Sequence, residues 1–350
     1  MHFKWVHFKP IYSYYTNKCI ILTINLPYFS MRLILFSLFI LLFIAGCKND
    51  KHDLPVIGFV DAFEDNTIAQ AKVGFFDAMK KNGFSEDQKT IEVIYRNAQG
   101  DIPKLTLAVK YLITQKVTLI AANSSLSTIT AIQNTKDIPV FMMVAPEPSL
   151  MNVADDKADG PANLFGVGES LGYIDTSFSL IPKLIKPKNG RLKTGMLYNQ
   201  SEPQSGLALK RIQQLAAALN VDLVALPVNN SADVKLVTAS LLGNNIDAFF
   251  ANPDNTIFSS FETIIQSCNQ ANVPVFTSEA GLVSRGAVAA YGADIYQWGY
   301  QAGEQAAQFL KNKSTANLHW EMVQLRKRVY NAEAVKRFNI AVPSGFEAVK

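Results

Sequence analysis

"VTLIAANSSLSTITAIQNTKDIPVFMMV", residues Val117–Val144, holds a complete structural unit in one line. The apolar run "VTLIAA" has the length and β-branched content of a buried strand. Asn123-Ser124-Ser125 then supplies helix-starting residues, Ser125 to Asn134 continues as a helix, and "IPVFMMV" is a second buried strand. Two fully apolar strands joined through a helix imply a parallel pair with a right-handed crossover.

The same alternation extends in both directions. Upstream, "PVIGFV" is a strand, and Asn66 to Asn82 carries Ile68, Val73, Phe75, Phe76 and Met79 at roughly helical spacing. The strand "TIEVIYR" and a helix from about Ile102 to Gln115 follow, so the first unit reads βαβαβαβ. Downstream, after "NLFGVGE", a second series opens with a helix near Ile174 to Leu184. It continues through "LKTGMLYN", the helix Gly206–Leu219, "VDLVALPV", the helix Ala232–Leu242, "IDAFFAN", the helix Asn255–Ala271 and "VPVFTSE". The remainder, "AVAAYG", the helix Ile295–Lys311, "HWEMVQL", "RVYN" and the helix Ala332–Phe338, is too short for a third domain and is expected to add elements to both units. The fold class expected is therefore α/β, with two doubly wound parallel-sheet domains joined by a hinge of about three crossings. The expected boundaries are 54–168 plus 291–322 for the first domain and 169–290 plus 323–350 for the second. A cleft between the carboxyl edges of the two sheets is where such a molecule binds its ligand.

The amino-terminal region addresses the chain elsewhere. Met31-Arg32, the 13-residue apolar run from Leu33 to Ala45, and the small pair Ala45-Gly46 form a charged n-region, an h-region and a cleavage site. A bilayer-spanning helix needs about 20 apolar residues, so this run targets the chain and spans poorly. Residues 1–30 precede a complete signal and contain no acidic residue; translation is expected to start at Met31. Ile44-Ala45-Gly46-Cys47 resembles the lipobox of bacterial lipoproteins, which implies lipidation at Cys47 and a membrane anchor through acyl chains such as palmitate. Residues 48–53 then form a short tether.

Removing residues 1–46 takes away Lys4, Lys9, Lys18 and Arg32 and no acid, so the formal +4 of the whole chain becomes 29 basic against 29 acidic residues. A neutral body lacks the electrostatic footprint of a nucleic-acid binder. Cys268 is the single cysteine beyond Cys47, which leaves no internal disulfide. Of the histidines His2, His7, His52 and His319, three fall before the body, so no zinc cluster is expected. No phosphate-binding Gly-Lys-Ser/Thr loop occurs, "GVGESLG" spaces its glycines wrongly for a dinucleotide, and no serine has a plausible histidine partner. Neither a cofactor nor an enzymatic activity is expected.

The body from Val56 onward resembles the type I periplasmic binding proteins of ABC importers, in the branch whose studied members bind amino acids, including aromatic ones. The stretches that carry the resemblance are "IEVIYRNAQGD", "NTKDIPVFMMVAPEPSL", "GMLYNQSEPQS", "PDNTIFSS", "VPVFTSEAGLVSRGAVAAYGADIYQWGYQAGEQA" and "RFNIAVP". It implies a monomeric solute-binding lipoprotein that captures a small molecule extracytoplasmically and delivers it to ABC permease subunits. A sensory protein of the same fold, coupled to a membrane receptor, is the alternative.

Candidate ligand residues lie in loops at the carboxyl ends of strands. Ser124 and Ser125 open a helix, where hydroxyls and free N–H groups suit a carboxylate; they equally suit an ordinary N-cap. The resemblance implies polar ligand contacts at Asn199, Ser201, Glu202 and Ser205. It also favours Asp254 as partner of a substrate ammonium, the other reading being a cap for the helix beginning at Asn255. Glu279 stands where the family commonly has aspartate and extends its carboxylate one carbon further. Phe63 offers either a stacking wall for an apolar side chain or a contact within its own domain, and Ala145–Ser149 rims the cleft.

Overall fold

Strand β1 (Val56–Asp61) is buried along almost its whole length, as expected for a strand with helices on both faces. The computed structural model describes residues 54–154, 160–342 and 344–349. The signal segment, Cys47 and the tether lie outside these residues.

From β1 the chain continues through helix α1 (Ala69–Lys81), β2 (Glu92–Asn97), α2 (Ile102–Thr114), β3 (Leu119–Asn123), α3 (Ser125–Asn134), β4 (Val140–Pro146) and β5 (Leu164–Glu169). These strands form a parallel sheet in the order β5-β4-β3-β1-β2. Alternate residues face opposite sides, so Ile57 and Phe59 join one core cluster while Val60, Ile120 and Met142 join another. Asp101 caps α2 by accepting from the Lys104 amide at 2.9 Å, with a proline in the first turn.

The second lobe begins with α4 (Gly172–Phe178) and α5 (Ile181–Leu184), two short helices where one was expected. Then come β6 (Lys193–Asn199), α6 (Pro203–Ala218), β7 (Asp222–Val228), α7 (Val234–Leu242), β8 (Ala248–Ala251), α8 (Asn255–Ser259), α9 (Phe261–Gln270), β9 (Val275–Thr277) and α10 (Ala280–Ser284). Its four strands are parallel in the order β7-β6-β8-β9. The segment expected as one helix over Asn255–Ala271 breaks at Ser260, which separates α8 from α9.

The tail is shared between the lobes. After β10 (Ala289–Ala293), helix α11 (Ile295–Asn312) returns to pack on α1, β4 and β5, and β11 (Glu321–Met322) extends the first sheet beside β5. Strand β12 (Arg326–Tyr330) then pairs antiparallel with β10, and α12 (Ala332–Phe338) and β13 (Glu347–Ala348) complete the second lobe. The chain thus passes between lobes three times: after β5, between β10 and α11, and between β11 and β12. Helices α1 and α11 touch backbone to backbone. A Cβ at Gly74, Gly299 or Gly303 would overlap a carbonyl oxygen of Tyr296, Ala71 or Phe75 respectively. Among the described residues no helix is long and apolar enough to cross a membrane.

Candidate functional site

In each parallel sheet the strand order reverses beside the first strand, and the crevice opened there is the place for a ligand. In the first lobe this point lies between β1 and β3, whose ends carry Asp61 and Asn123; in the second it lies between β6 and β8, which lead to Asn199 and Asp254. The two crevices face a common pocket with a volume of about 40 Å³. That is room for about three ordered waters.

The first lobe contributes Ser125, Val144 to Pro146, Glu169 and Trp298 to the pocket. Ser125 is the first residue of α3, and the backbone N–H groups there have no helical acceptor. Ser124 does not cap this helix with its side chain. It holds φ at 79°, donates its amide to the Met143 carbonyl at 3.0 Å, and keeps its hydroxyl buried without a partner. The next strand is also irregular. The register between β4 and β5 shifts at Met142–Ala145, with Val144 at φ 52°, a conformation rare for a β-branched residue. This bulge turns Val144 into the pocket wall, and the opposing Gly166, at φ 93°, leaves no room for a Cβ against the Met142 carbonyl.

The second lobe contributes Leu171, Tyr173, Gln204, Asp254, Asn255, Phe258 and Glu279. Asp254 is the N-cap of α8: its Oδ1 accepts from the amides of Thr256 and Ile257, and its Oδ2 from the amide of Asn199 at 2.8 Å. It lines the pocket and serves as the cap at once. Glu202 is buried behind it and fully occupied. Its Oε2 accepts from Gln204, from the Asn255 side chain and from the Asn255 amide, and its Oε1 accepts from the Thr256 hydroxyl at 3.1 Å. Burial, with the charge of Asp254 second, pushes Glu202 up to about 8. Burial also raises Asp254, against hydrogen bonds from Ser205 and the Asn199 amide. Burial and mutual repulsion thus both work against a second negative charge in this pair.

Glu279 is different. It ends the loop after β9, is 2 % exposed, and its Oε2 has no hydrogen-bond partner among the described residues. Burial first and the nearby Glu169 second push it up to about 8, with Tyr173 and Ser278 acting in the other direction. Glu169 is equally buried and is also raised by burial, but Arg326 works against that shift, with the Glu169 Oε1 2.7 Å from Nη2 of Arg326 and its Oε2 3.2 Å from Nε. The Tyr173 hydroxyl, buried beside both acids, is held protonated far above its usual range.

Of the residues predicted from sequence, Ser125, Asp254 and Glu279 meet in this pocket. Phe63, Asn199, Ser201 and Glu202 instead border a second, larger space of about 820 Å³ that is likewise lined by both lobes, with Ile102 and Leu126 on one side and Asn230 and Thr256 on the other. There Asn199 donates to Thr256 and receives the Ser201 amide. Ser205 faces neither space; its hydroxyl accepts from the Asn199 amide and the Asn252 side chain, an internal role. Glu169, Tyr173, Gln204, Phe258 and Trp298 were not anticipated. Glu169 was findable, since it ends a buried strand on the cleft side. The others lie on helices, where a pocket-facing side chain looks like a core one.

Residues 56–348 match the family model described as ABC transporter substrate binding protein. A tyrosine-binding protein of Clostridioides difficile is 29 % identical over 293 residues, covering 84 % of this chain and 83 % of that protein. Among solved structures, an ABC domain from Streptococcus pneumonia in complex with L-Trp superposes with a TM-score of 0.76 at 22 % identity, covering 85 % of this chain and all of that one. A ligand-free, open substrate-binding protein with adhesive properties from Clostridium difficile gives a lower TM-score, 0.62, at the higher identity of 26 %, covering 85 % of this chain and 99 % of that one. These relatives bind substrates and are not enzymes. The sheet orders, the pocket between the lobes and the match over nearly the whole body agree: the chain belongs to the family of ABC transporter substrate-binding proteins.

Proposed function

We propose that this protein is a lipid-anchored, extracytoplasmic receptor for an amino acid, which closes its two lobes on the ligand and delivers it to the permease of an ABC importer. The observation that carries the reading is the charge pattern of the pocket. Two buried acids that have no cation among the described residues, Glu279 and Asp254, stand opposite the open N-terminus of α3 at Ser125. A zwitterion fits that polarity: its ammonium goes to the acids, and its carboxylate goes to the helix N-terminus and the Ser124–Ser125 hydroxyls. Val144, Leu171, Phe258 and Trp298 give the rest of the pocket an apolar wall suited to an aromatic side chain. The tyrosine-binding relative and the L-Trp complex support that choice. Lipidation at Cys47 would keep the receptor beside its transporter.

The test uses protein beginning at Lys48, which retains the compact unit formed from Leu54 onward. Calorimetric titration with the twenty common L-amino acids should give saturable binding with tyrosine or tryptophan among the tightest. If none of them binds, the amino-acid assignment fails.

A further inference from the structure

The lobes are joined away from their hinge strands by one guanidinium. Arg285 follows α10 in the second lobe, and its Nε and Nη2 form a two-point pair with Glu262 of α9, each at 2.8 Å. Nη2 also donates to the Phe258 carbonyl at 3.0 Å. Its remaining nitrogen, Nη1, reaches the other lobe. It lies 2.7 Å from Oδ2 of Asp65 and 2.9 Å from the hydroxyl of Thr67, in the connection between β1 and α1. The Arg285 side chain is 14 % exposed and that of Asp65 is 2 % exposed, so water replaces little of this bond while it is made. The apposition is close: a Cβ at Gly281, one turn before Arg285, would overlap the Thr67 methyl. Next along the chain, Ile68 inserts into the second lobe's core cluster with Ile257, Phe258, Leu282 and Val283. Its own carbonyl is held to the first sheet by Asn123 at 3.2 Å.

We propose that Arg285 is a positioning residue for ligand capture, a clasp that ties the pocket wall at Phe258 to Asp65 and Thr67 of the opposite lobe. This rests on the cleft-binding reading given above. Three features suit it to opening and closing. When the lobes part, Arg285 keeps Glu262, and Asp65 keeps the Thr67 and Ile68 amides that its Oδ1 accepts at 2.8 and 2.9 Å, so neither charge is stranded. Phe258 lines the ligand pocket and gives its carbonyl to Arg285, so a ligand that settles α8 also settles the guanidinium. The Ile68 side chain leaves or enters an apolar socket with the same motion, which makes the closed state an all-or-none arrangement.

The experiment measures interlobe distances by electron spin–spin coupling, with labels at Lys104→Cys on α2 and Leu236→Cys on α7, in protein beginning at Lys48. Both positions are exposed, and the native Cys268 is buried. Arg285→Met and Asp65→Asn should each shift the ligand-free distribution toward longer distances, and the double variant should go no further. Arg285→Lys should restore part of the short-distance population. With L-tyrosine or L-tryptophan present, dissociation should be faster by about tenfold while association changes little, since loss of an interface bond acts mainly on the off-rate. If Arg285→Met fails to fold, Thr67→Val removes one bond of the clasp without leaving a buried charge. Distance distributions unchanged in a folded Asp65→Asn or Thr67→Val variant would overturn the clasp. Wild-type protein that binds neither amino acid would overturn the amino-acid reading alone, because the ligand-free distances still decide the clasp.

Discussion

Glu169 and Glu279 share one pocket wall, yet among the described residues Glu169 alone of the two has a cation, Arg326 at 2.7 Å. The asymmetry leaves Glu279 as the buried acid with an unpartnered oxygen, and it makes the ligand-free pocket sensitive to pH.

Glu279 titrates near 4.5 in an ordinary setting and is pushed up to about 8 in the folded protein. Between those values the folded state holds a proton that the unfolded chain has released. Its contribution to stability is therefore full at low pH and is lost as pH rises toward 8. Glu279→Gln removes this slope. Its melting temperature should exceed that of the wild type by about 5 °C at pH 8, from roughly 2 kcal/mol, with a smaller difference at pH 5. Differential scanning calorimetry at the two values checks the sign, and a pH-independent difference would mean that Glu279 stays ionised.

A cationic ligand group beside Glu279 favours the carboxylate form and expels its proton. Binding of an amino acid at pH 7 should therefore release protons, so the observed enthalpy should differ between buffers of unlike ionisation heat. Affinity should rise between pH 6 and pH 8, by at most about tenfold per unit for each proton released. Buffer-independent enthalpies would remove the link between Glu279 and the ammonium.

Asp254 carries three backbone amides, from Asn199, Thr256 and Ile257. Asp254→Ala orphans all three and should cost about 2–4 kcal/mol of stability together with binding. Asp254→Asn keeps an oxygen for the cap and should fold, losing roughly tenfold or more in ligand affinity through the missing charge. Titration of the Asn variant decides whether Asp254 touches ligand, since an unchanged affinity leaves it only the cap.

Much of this could be read in the chain. Apolar strand runs and helical periods placed both sheets; the rule that ligands meet the carboxyl edges of strands pointed to the loops of Ser125, Asp254 and Glu279, as it did to those of Phe63, Asn199, Ser201, Glu202 and Ser205, and the family resemblance favoured Asp254. The rule is blind to what a carboxylate does once buried. Glu202 and Glu279 both follow strand ends, but Glu202 is consumed by Gln204, Asn255 and Thr256, contacts up to 54 residues away, while Glu279 keeps a free oxygen. Nothing local in "NQSEPQS" or "FTSEAG" distinguishes them. Tyr173 and Trp298 were invisible for a related reason: the helix face that meets a pocket has the same composition as the face that meets a core.

The contact between α1 and α11 gives a sharper stability test. Gly299→Ala places a methyl against the Ala71 carbonyl and should lower the melting temperature by about 5 °C or more, because overpacking a tight contact costs about 1–3 kcal/mol. Gly206→Ala in α6 meets nothing within 4 Å and should instead gain up to about 1 kcal/mol from helix propensity. Thermal melts of the two variants should move in opposite directions.

That same contact governs the order in which the molecule can be made. Helix α1 is among the first elements to leave the ribosome, but its partner ends at Asn312, more than 200 residues later. Until then Phe75 and Met79 lack the cover that Ala302 and Ala306 provide in the first-lobe core. The first lobe therefore cannot close its core until α11 has emerged, although it is the first to be synthesised. The second lobe can assemble its sheet from β6 to β9 while its predecessor still waits, and its own last pieces, β12, α12 and β13, come after the first lobe's, so the two lobes finish interleaved and not one domain at a time.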